Sequence, residues 1–253
     1  MFSDSAALAL AAFAAWIARR PVSLRHSYGF VRAEIVAALV NGIAMLLVIV
    51  GIVVEAIERL RSPSPVAGGA VMVIAFVGLI INVAVAFALS RGEHDINVRG
   101  ALLHVLGDML GSFAALLAGA VIYFTGWTPV DPILSLIVAC LILFSALNLL
   151  REALHVLMEG VPLTLQLDVV GREMAKVKGV QSVHDLHIWT LASGVVALSA
   201  HLVLEDMKAW PQALEATRKM LHEHFDIAHI TLQPEPPEWI EQPYRASIPI
   251  FPK

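Results

Sequence analysis

Long apolar runs with few or no charged residues are the feature that most constrains the fold of this 253-residue chain. A helix needs about 20 apolar residues to cross the hydrocarbon core of a bilayer. Four runs reach that length, and a fifth at the beginning of the chain is apolar but shorter. The predicted helices cover residues 1–18, 33–56, 69–90, 98–124 and 130–151. The sequence therefore predicts an all-α helical membrane domain over residues 1–158.

The composition agrees with a membrane protein. Hydrophobic residues make up 58% of the chain and charged residues only 15%, a balance typical of proteins that span a bilayer. The formal net charge of −4 gives no indication of a nucleic-acid partner. The single cysteine, Cys140, has no second cysteine in the chain with which to form a disulfide.

The arginine distribution predicts the orientation in the membrane. Loops on the cytoplasmic side carry an excess of Lys and Arg. The loops before the spans at 33–56 and 98–124 carry the larger set, so those loops and the C-terminal part are predicted to be cytoplasmic. The larger set comprises Arg19, Arg20, Arg25, Arg32, Arg91 and Arg99, and the opposite face has Arg59 and Arg61.

Two polar residues interrupt the span at 98–124. His104 and Asp108 are four residues apart, which places them on one helix face. Ionisable groups inside a membrane span are costly, so a functional site is the default hypothesis. An imidazole nitrogen and a carboxylate oxygen form half of a tetrahedral metal site. The alternative is a His–Asp hydrogen bond that ties two helices together.

The chain becomes soluble in character after Pro162. Its patterns predict helix, strand, strand, helix and strand, in that order, over residues 159–235. This order favours a small open-faced sandwich, with helices on one side of an antiparallel sheet. The tail at 236–253 begins with a proline-rich stretch and shows no obvious structure.

Several motifs, taken together and in this order, resemble those of the cation diffusion facilitator family of zinc transporters. The resemblance runs from Met1 to about Glu235. The motifs are the HxxxD pair His104/Asp108, TPVDPILS at 128–135, VHDLHIW at 183–189, HSYG at 26–29 and RAE at 32–34.

The resemblance implies a transporter with six membrane helices, of which five are visible here, and a cytoplasmic ferredoxin-like domain of α+β class. It also implies a homodimer in a bacterial inner membrane, surrounded by lipid. Its activity would be proton-coupled export of Zn²⁺, with Co²⁺ and Cd²⁺ as alternatives and no organic cofactor. Metal and protons would compete for one site, because neutral His and ionised Asp bind metal and their protonated forms do not.

The resemblance also supplies a third ligand for the transported ion. Met1 to Asp4 matches the last four residues of a second HxxxD motif, so Asp4 is expected to be a third ligand beside His104 and Asp108. The leading histidine of that motif would precede Met1. We therefore expect the sequence to be N-terminally truncated, with the first membrane helix missing.

Three further assignments rest on matched positions. His184 and His201 lie where similar proteins bind zinc in the cytoplasmic domain, and Glu235 stands as a replacement for a third ligand; surface histidines are the alternative. His26 matches a loop site, but Ser23 and Phe30 stand where further ligands often occur, which favours an exposed loop histidine. In similar proteins a cation and a carboxylate interlock the dimer, and here these are Arg32 and Glu159.

Two functions remain open at this stage. The first is the secondary transporter, and the second is a non-transporting membrane metal sensor or regulatory subunit that binds metal in its cytoplasmic domain. No HExxH sequence, nucleotide-binding glycine loop or nucleophile elbow occurs in the chain. We therefore expect that the protein is not an enzyme.

Overall fold

The computed structural model describes residues 2–62, 68–90, 96–192, 194–238 and 251–252, with the side chains of residues 2–6, 96, 97 and 100 left aside. The chain forms two compact units, residues 1–154 and residues 155–253. The first contains the apolar helices, and the second contains a sheet with two further helices.

Five helices run through the first unit: α1 (Phe2–Ala18), α2 (Ala33–Arg61), α3 (Gly68–Leu89), α4 (Ile96–Thr125) and α5 (Val130–Leu157). Within the described residues, α2, α3, α5 and the Ala101–Thr125 part of α4 are long and apolar enough to cross a membrane, whereas α1 is shorter. Helices α2 and α5 continue past the predicted ends of their spans at residues 56 and 151. Charged residues end an apolar run, but they do not interrupt the backbone hydrogen bonds that continue a helix.

Glycines allow two of these helices to approach closely. A Cβ atom on Gly68 of α3 would lie 2.8 Å from the carbonyl oxygen of Gly119 on α4. Small residues at such crossings let the backbones touch, and the resulting van der Waals packing holds membrane helices together. Helix α4 ends at Thr125, and the next residue, Gly126, has a φ of +71°, a conformation that glycine adopts without strain.

Side chains from α2 and α5 form a buried cluster beside α4. The cluster contains Met45 and Ile49 from α2 and Ile142 from α5. Gly107 of α4 faces it, and a Cβ atom there would lie 3.2 Å from Ile142 Cδ1. This glycine lies between His104 and Asp108 in the sequence, so the close packing of α5 occurs at the level of the candidate site.

The second unit contains α6 (Leu167–Ala175), β1 (Val180–Ala192), β2 (Val195–Leu204), α7 (Trp210–Phe225), β3 (His229–Glu235) and β4 (Phe251–Pro252). The sheet has the order β3-β2-β1-β4. Its core includes Val170 and Met174 from α6, Leu221 from α7 and the apolar residues of both long strands. The predicted α+β sandwich with the order α-β-β-α-β is confirmed.

Two details of the sheet differ from the prediction. Strands β1 and β2 are antiparallel, but β3 lies parallel to β2, so the expectation of an antiparallel sheet is wrong for β3. A parallel neighbour requires a crossover connection, and α7 provides it. The tail also contributes a short strand, β4, which pairs antiparallel with β1 through Ser182 and Val183.

Candidate metal sites

The first candidate site is the pair His104 and Asp108 on α4. His104 Nε2 lies 3.7 Å from Asp108 Oδ2, and the side chains are 13% and 31% exposed. The separation is longer than a hydrogen bond. It is close to the distance of about 3.3 Å between neighbouring ligand atoms that a tetrahedral zinc ion imposes at its usual bond lengths. The two side chains can therefore face one ion.

A cavity of about 290 Å³ contains both side chains. Its other lining residues are Ser112, two glycines and apolar side chains of α2 and α5. The Oδ2 atom of Asp108 is itself buried. A carboxylate in such surroundings is stabilised by a cation, because burial without a counter-charge is costly. The predicted third ligand, Asp4, belongs to α1, and its side chain lies outside the described residues.

The second candidate site lies in the second unit, where three strands bring His184, His201 and Glu235 together. His184 Nε2 lies 2.9 Å from Glu235 Oε2, and His201 Nδ1 lies 2.9 Å from Glu235 Oε1. The potential ligand atoms all lie within 4.8 Å of one another. This cluster of two imidazoles and one carboxylate matches the ligand types of zinc sites.

The register of the sheet explains why these residues meet. His184 on β1 and His201 on β2 are direct cross-strand partners, so their rings lie on one face of the sheet. Their ring centroids are 5.2 Å apart. Glu235 ends β3, where it pairs with Val203, two residues beyond His201 on the same face. Its side chain is only 9% exposed, so the carboxylate is held inside the cluster.

Two polar neighbours complete the surroundings of the cluster. Gln233 Nε2 donates a hydrogen bond of 3.0 Å to Glu235 Oε1. Asp185 Oδ2 lies 3.5 Å from His201 Nε2, and its other carboxylate oxygen lies 3.1 Å from His187 Nε2. The motif VHDLHIW contains Asp185, but no pattern in the sequence places its side chain beside His201.

A bulge in β1 produces this position of Asp185. The register of β1 against β2 shifts between His184 and His187, and Asp185 has a φ of +51°. The left-handed region is uncommon for residues other than glycine, although Asp and Asn tolerate it. A regular strand would place Asp185 on the opposite face from His184. The bulge instead brings its carboxylate to the side of His201.

The loop histidine has other neighbours. His26 Nδ1 lies 3.5 Å from Ser23 Oγ, and its ring packs on Phe30 with a centroid distance of 4.3 Å. Among the described residues, it does not belong to a group of three potential metal ligands. Arg32 and Glu159 belong to different units of the chain, and the predicted interlock between them stays a prediction.

Comparisons with known proteins identify the class of both units. The family model described as cation efflux transmembrane domain matches residues 1–158. A second model, described as cation efflux protein, cytoplasmic domain, matches residues 164–237. The two matches cover nearly the whole chain.

Curated relatives agree with the family models. A cadmium, cobalt and zinc/H(+)-K(+) antiporter from Bacillus subtilis is 40% identical over 93% of this chain and 77% of its own length. The zinc transporter ZitB from Escherichia coli is 41% identical over 93% of this chain and 76% of its own length. The metal cation efflux system protein CzcD from Cupriavidus metallidurans is 39% identical over 92% and 74%, respectively.

A solved metal-bound C-terminal domain of the CzcD transporter is 38% identical and covers 28% of this chain and 99% of its own. Its TM-score is 0.26. The apolar helices and the bacterial relatives identify an integral protein of the inner membrane. The chain belongs to the cation diffusion facilitator family of cation efflux transporters.

Proposed function

We propose that this protein exports Zn²⁺, or the similar ions Co²⁺ and Cd²⁺, from the cytoplasm in exchange for protons. Asp4, His104 and Asp108 would bind the transported ion. The observation that carries the proposal is the pairing of His104 and Asp108 on the wall of one cavity, on a helix able to span the membrane. The names of the relatives, which specify zinc, cadmium and cobalt transport, support the choice of ions.

Proton exchange follows from the chemistry of the ligands. A protonated imidazolium must lose a proton before its nitrogen can bind a metal, and a carboxyl group binds metal in its ionised form. Protons that enter the cavity from the outer face would therefore displace the ion. An ion that enters from the cytoplasm would in turn displace protons. Alternate opening of the cavity to the two faces would convert this competition into exchange.

We further propose that the protein acts as a homodimer in the lipid bilayer and has no enzymatic activity. The family model that matches residues 164–237 supports the dimer, because it describes a dimerisation domain of cation efflux proteins. The interlock of Arg32 with Glu159 belongs to this proposal.

A second candidate function is metal sensing without transport. The cluster of His184, His201 and Glu235 supports it, since a metal bound there would link three strands of the cytoplasmic sheet. The two functions are compatible if the cytoplasmic metal regulates the transporter. They are alternatives if the membrane pair has no role in transport.

Reconstitution in proteoliposomes distinguishes them. Zinc uptake driven by an imposed pH gradient, and lost in His104→Ala, is the expected result for a transporter. Zinc binding without flux, lost when His184 and His201 are both replaced by alanine, would support the sensor and contradict the transporter. The same uptake assay with Co²⁺ or Cd²⁺ in place of zinc tests the range of ions.

A further inference from the structure

A second cavity lies directly beside the one that contains His104 and Asp108. It has a volume of about 180 Å³ and is lined by residues that include Glu55, Arg59 and Ser135. Ile52, Gly111 and Val138 line both cavities. The two spaces are therefore neighbours, and these shared residues form the wall between them.

The second cavity lies on the outer side of the first. Along α2, Glu55 and Arg59 follow Ile52 toward the end of the helix at Arg61. Along α4, Ala114 follows Gly111 toward the end at Thr125, and α5 begins at Val130. The ends of α2 and α4 and the beginning of α5 are all on the face opposite the arginine-rich loops. A cation that leaves the His104/Asp108 cavity outward would therefore meet the second cavity.

Glu55, Arg59 and Asp131 interact with one another beside the second cavity. Arg59 Nη1 lies 2.8 Å from Asp131 Oδ2 on α5, and Arg59 Nη2 lies 2.5 Å from Glu55 Oε1 on its own helix. The Asp131 side chain is 16% exposed and the Arg59 side chain is 47% exposed, so the pair is half-buried. The pair Arg59–Asp131 thus connects α2 to α5 beside the second cavity, and a guanidinium keeps its charge at any physiological pH.

We propose that Arg59, held by Asp131 and Glu55, is the gate that closes the outer end of the cation path. The positive charge opposes a divalent cation in the second cavity, and the bridge keeps α2 and α5 together at that level. Opening outward requires Arg59 to leave Asp131. The two carboxylates then face the path and favour the departing cation. This inference rests on the proposed transport function for the direction of the path.

The gate can be tested by measuring how fast a water-soluble reagent modifies a cysteine placed in the wall between the cavities. Gly111 is a suitable reporter position, because a Cβ atom there meets no atom within 4 Å. Cys140 is the single cysteine of the chain, so Gly111→Cys in a Cys140→Ala background gives one thiol. The probe is a membrane-impermeant cationic methanethiosulfonate, applied to the outer face of proteoliposomes. Ser135→Cys, in the second cavity, serves as a second reporter.

We expect the reporter thiol to be modified slowly in the parent and about tenfold faster in Arg59→Gln. The tenfold figure reflects a half-buried ion pair, whose loss costs more than that of an exposed pair and less than that of a buried pair. The double change Arg59→Asp/Asp131→Arg should restore slow modification. The matched control is Arg99→Gln, which removes a similar ion pair at the cytoplasmic end. There Arg99 Nη1 of α4 lies 2.5 Å from Glu152 Oε1 of α5. It should leave the outer reporter unchanged.

Three outcomes would overturn the proposal. In the first, each reporter is modified at the same rate in the parent and in Arg59→Gln; in the second, Arg99→Gln speeds modification as much as Arg59→Gln does. In the third, Arg59→Gln speeds modification of the natural Cys140 in a protein without other cysteine changes. The last would indicate general loosening of the helices. Modification needs no metal, so it tests the gate even if zinc flux is absent. Absence of flux in the parent would count against the proposed function alone.

Discussion

The two candidate metal sites differ in how the fold supports them. In the membrane, His104 and Asp108 come from one helix, are 3.7 Å apart and share a cavity with residues of α2 and α5. In the cytoplasmic domain, the three potential ligands come from three neighbouring strands. Both histidines there lie 2.9 Å from the same carboxylate. The first site has space around its ligands, and the second has its ligands already in mutual contact.

This difference suits two different tasks. A transport site must release its ion. The proposed ligand Asp4 lies on α1, so it can part from His104 and Asp108 of α4 when the helices move. Ligands on paired strands of one sheet move together, so a metal bound there is held in a fixed geometry. The comparison therefore favours transient binding in the membrane and retained binding in the cytoplasmic domain.

The largest effect is expected at the membrane pair. His104→Ala and Asp108→Ala should each reduce pH-driven zinc flux in proteoliposomes to the background of empty vesicles, because each removes a ligand from a site with few alternatives. Ser145→Ala is the control, since Ser145 bonds to the Leu141 carbonyl of its own helix and should leave flux unchanged. Flux at the parent rate in either ligand variant would remove the membrane pair from the transport site.

A large effect on equilibrium binding is expected at Glu235. The measurement uses the whole protein with His104 and Asp108 replaced by alanine, so that zinc binding reports the cytoplasmic cluster. At a zinc concentration about 100 times the dissociation constant, binding should stabilise the folded state by about 2.7 kcal/mol. Glu235→Ala should abolish this gain, because it removes the ligand between both histidines.

His224→Ala is the matched control for this measurement, since His224 is an exposed histidine on α7. It should retain the full stabilisation by zinc. If Glu235→Ala binds zinc as tightly as this control, the cluster is a hydrogen-bonded network rather than a metal site. The contrast between the two regions would then disappear.

The extent of sequence-based prediction differs between the two units for a physical reason. Apolar runs and the four-residue spacing of His104 and Asp108 depend only on residues that are close in the sequence. The helices and the shared helix face of this pair could therefore be predicted. The pairing of β3 with β2 and of β4 with β1 depends on contacts between distant residues. The bulge at Asp185 depends on the register of two strands, which the alternation of residue types does not specify. The position of the Asp185 carboxylate beside His201 was therefore visible only in the structure.

A smaller effect is expected where the tail joins the sheet. Phe251 is 7% exposed and packs against Gly171 of α6. Phe251→Ala should lower the free energy of unfolding of the cytoplasmic unit by about 2 kcal/mol, below the usual cost of a central phenylalanine because β4 is an edge strand. Amide hydrogen exchange in α6 and β1 measures this. Pro252→Ala, an exposed neighbour, is the control, and equal exchange in both variants would contradict a structural role for β4.

The smallest effect is expected at Asp185, and it tests whether the cytoplasmic cluster has a fourth ligand. Asn tolerates the left-handed backbone of this position as Asp does, so Asp185→Asn removes the charge and keeps the bulge. If the carboxylate 3.5 Å from His201 moves onto the metal, zinc affinity should fall about tenfold, or about 1.4 kcal/mol. Thermal stability without zinc should stay unchanged. Asp185→Ala, which also strains the backbone, should lower that stability as well. Unchanged affinity in Asp185→Asn would leave a three-ligand site, with a position open to water or a further donor.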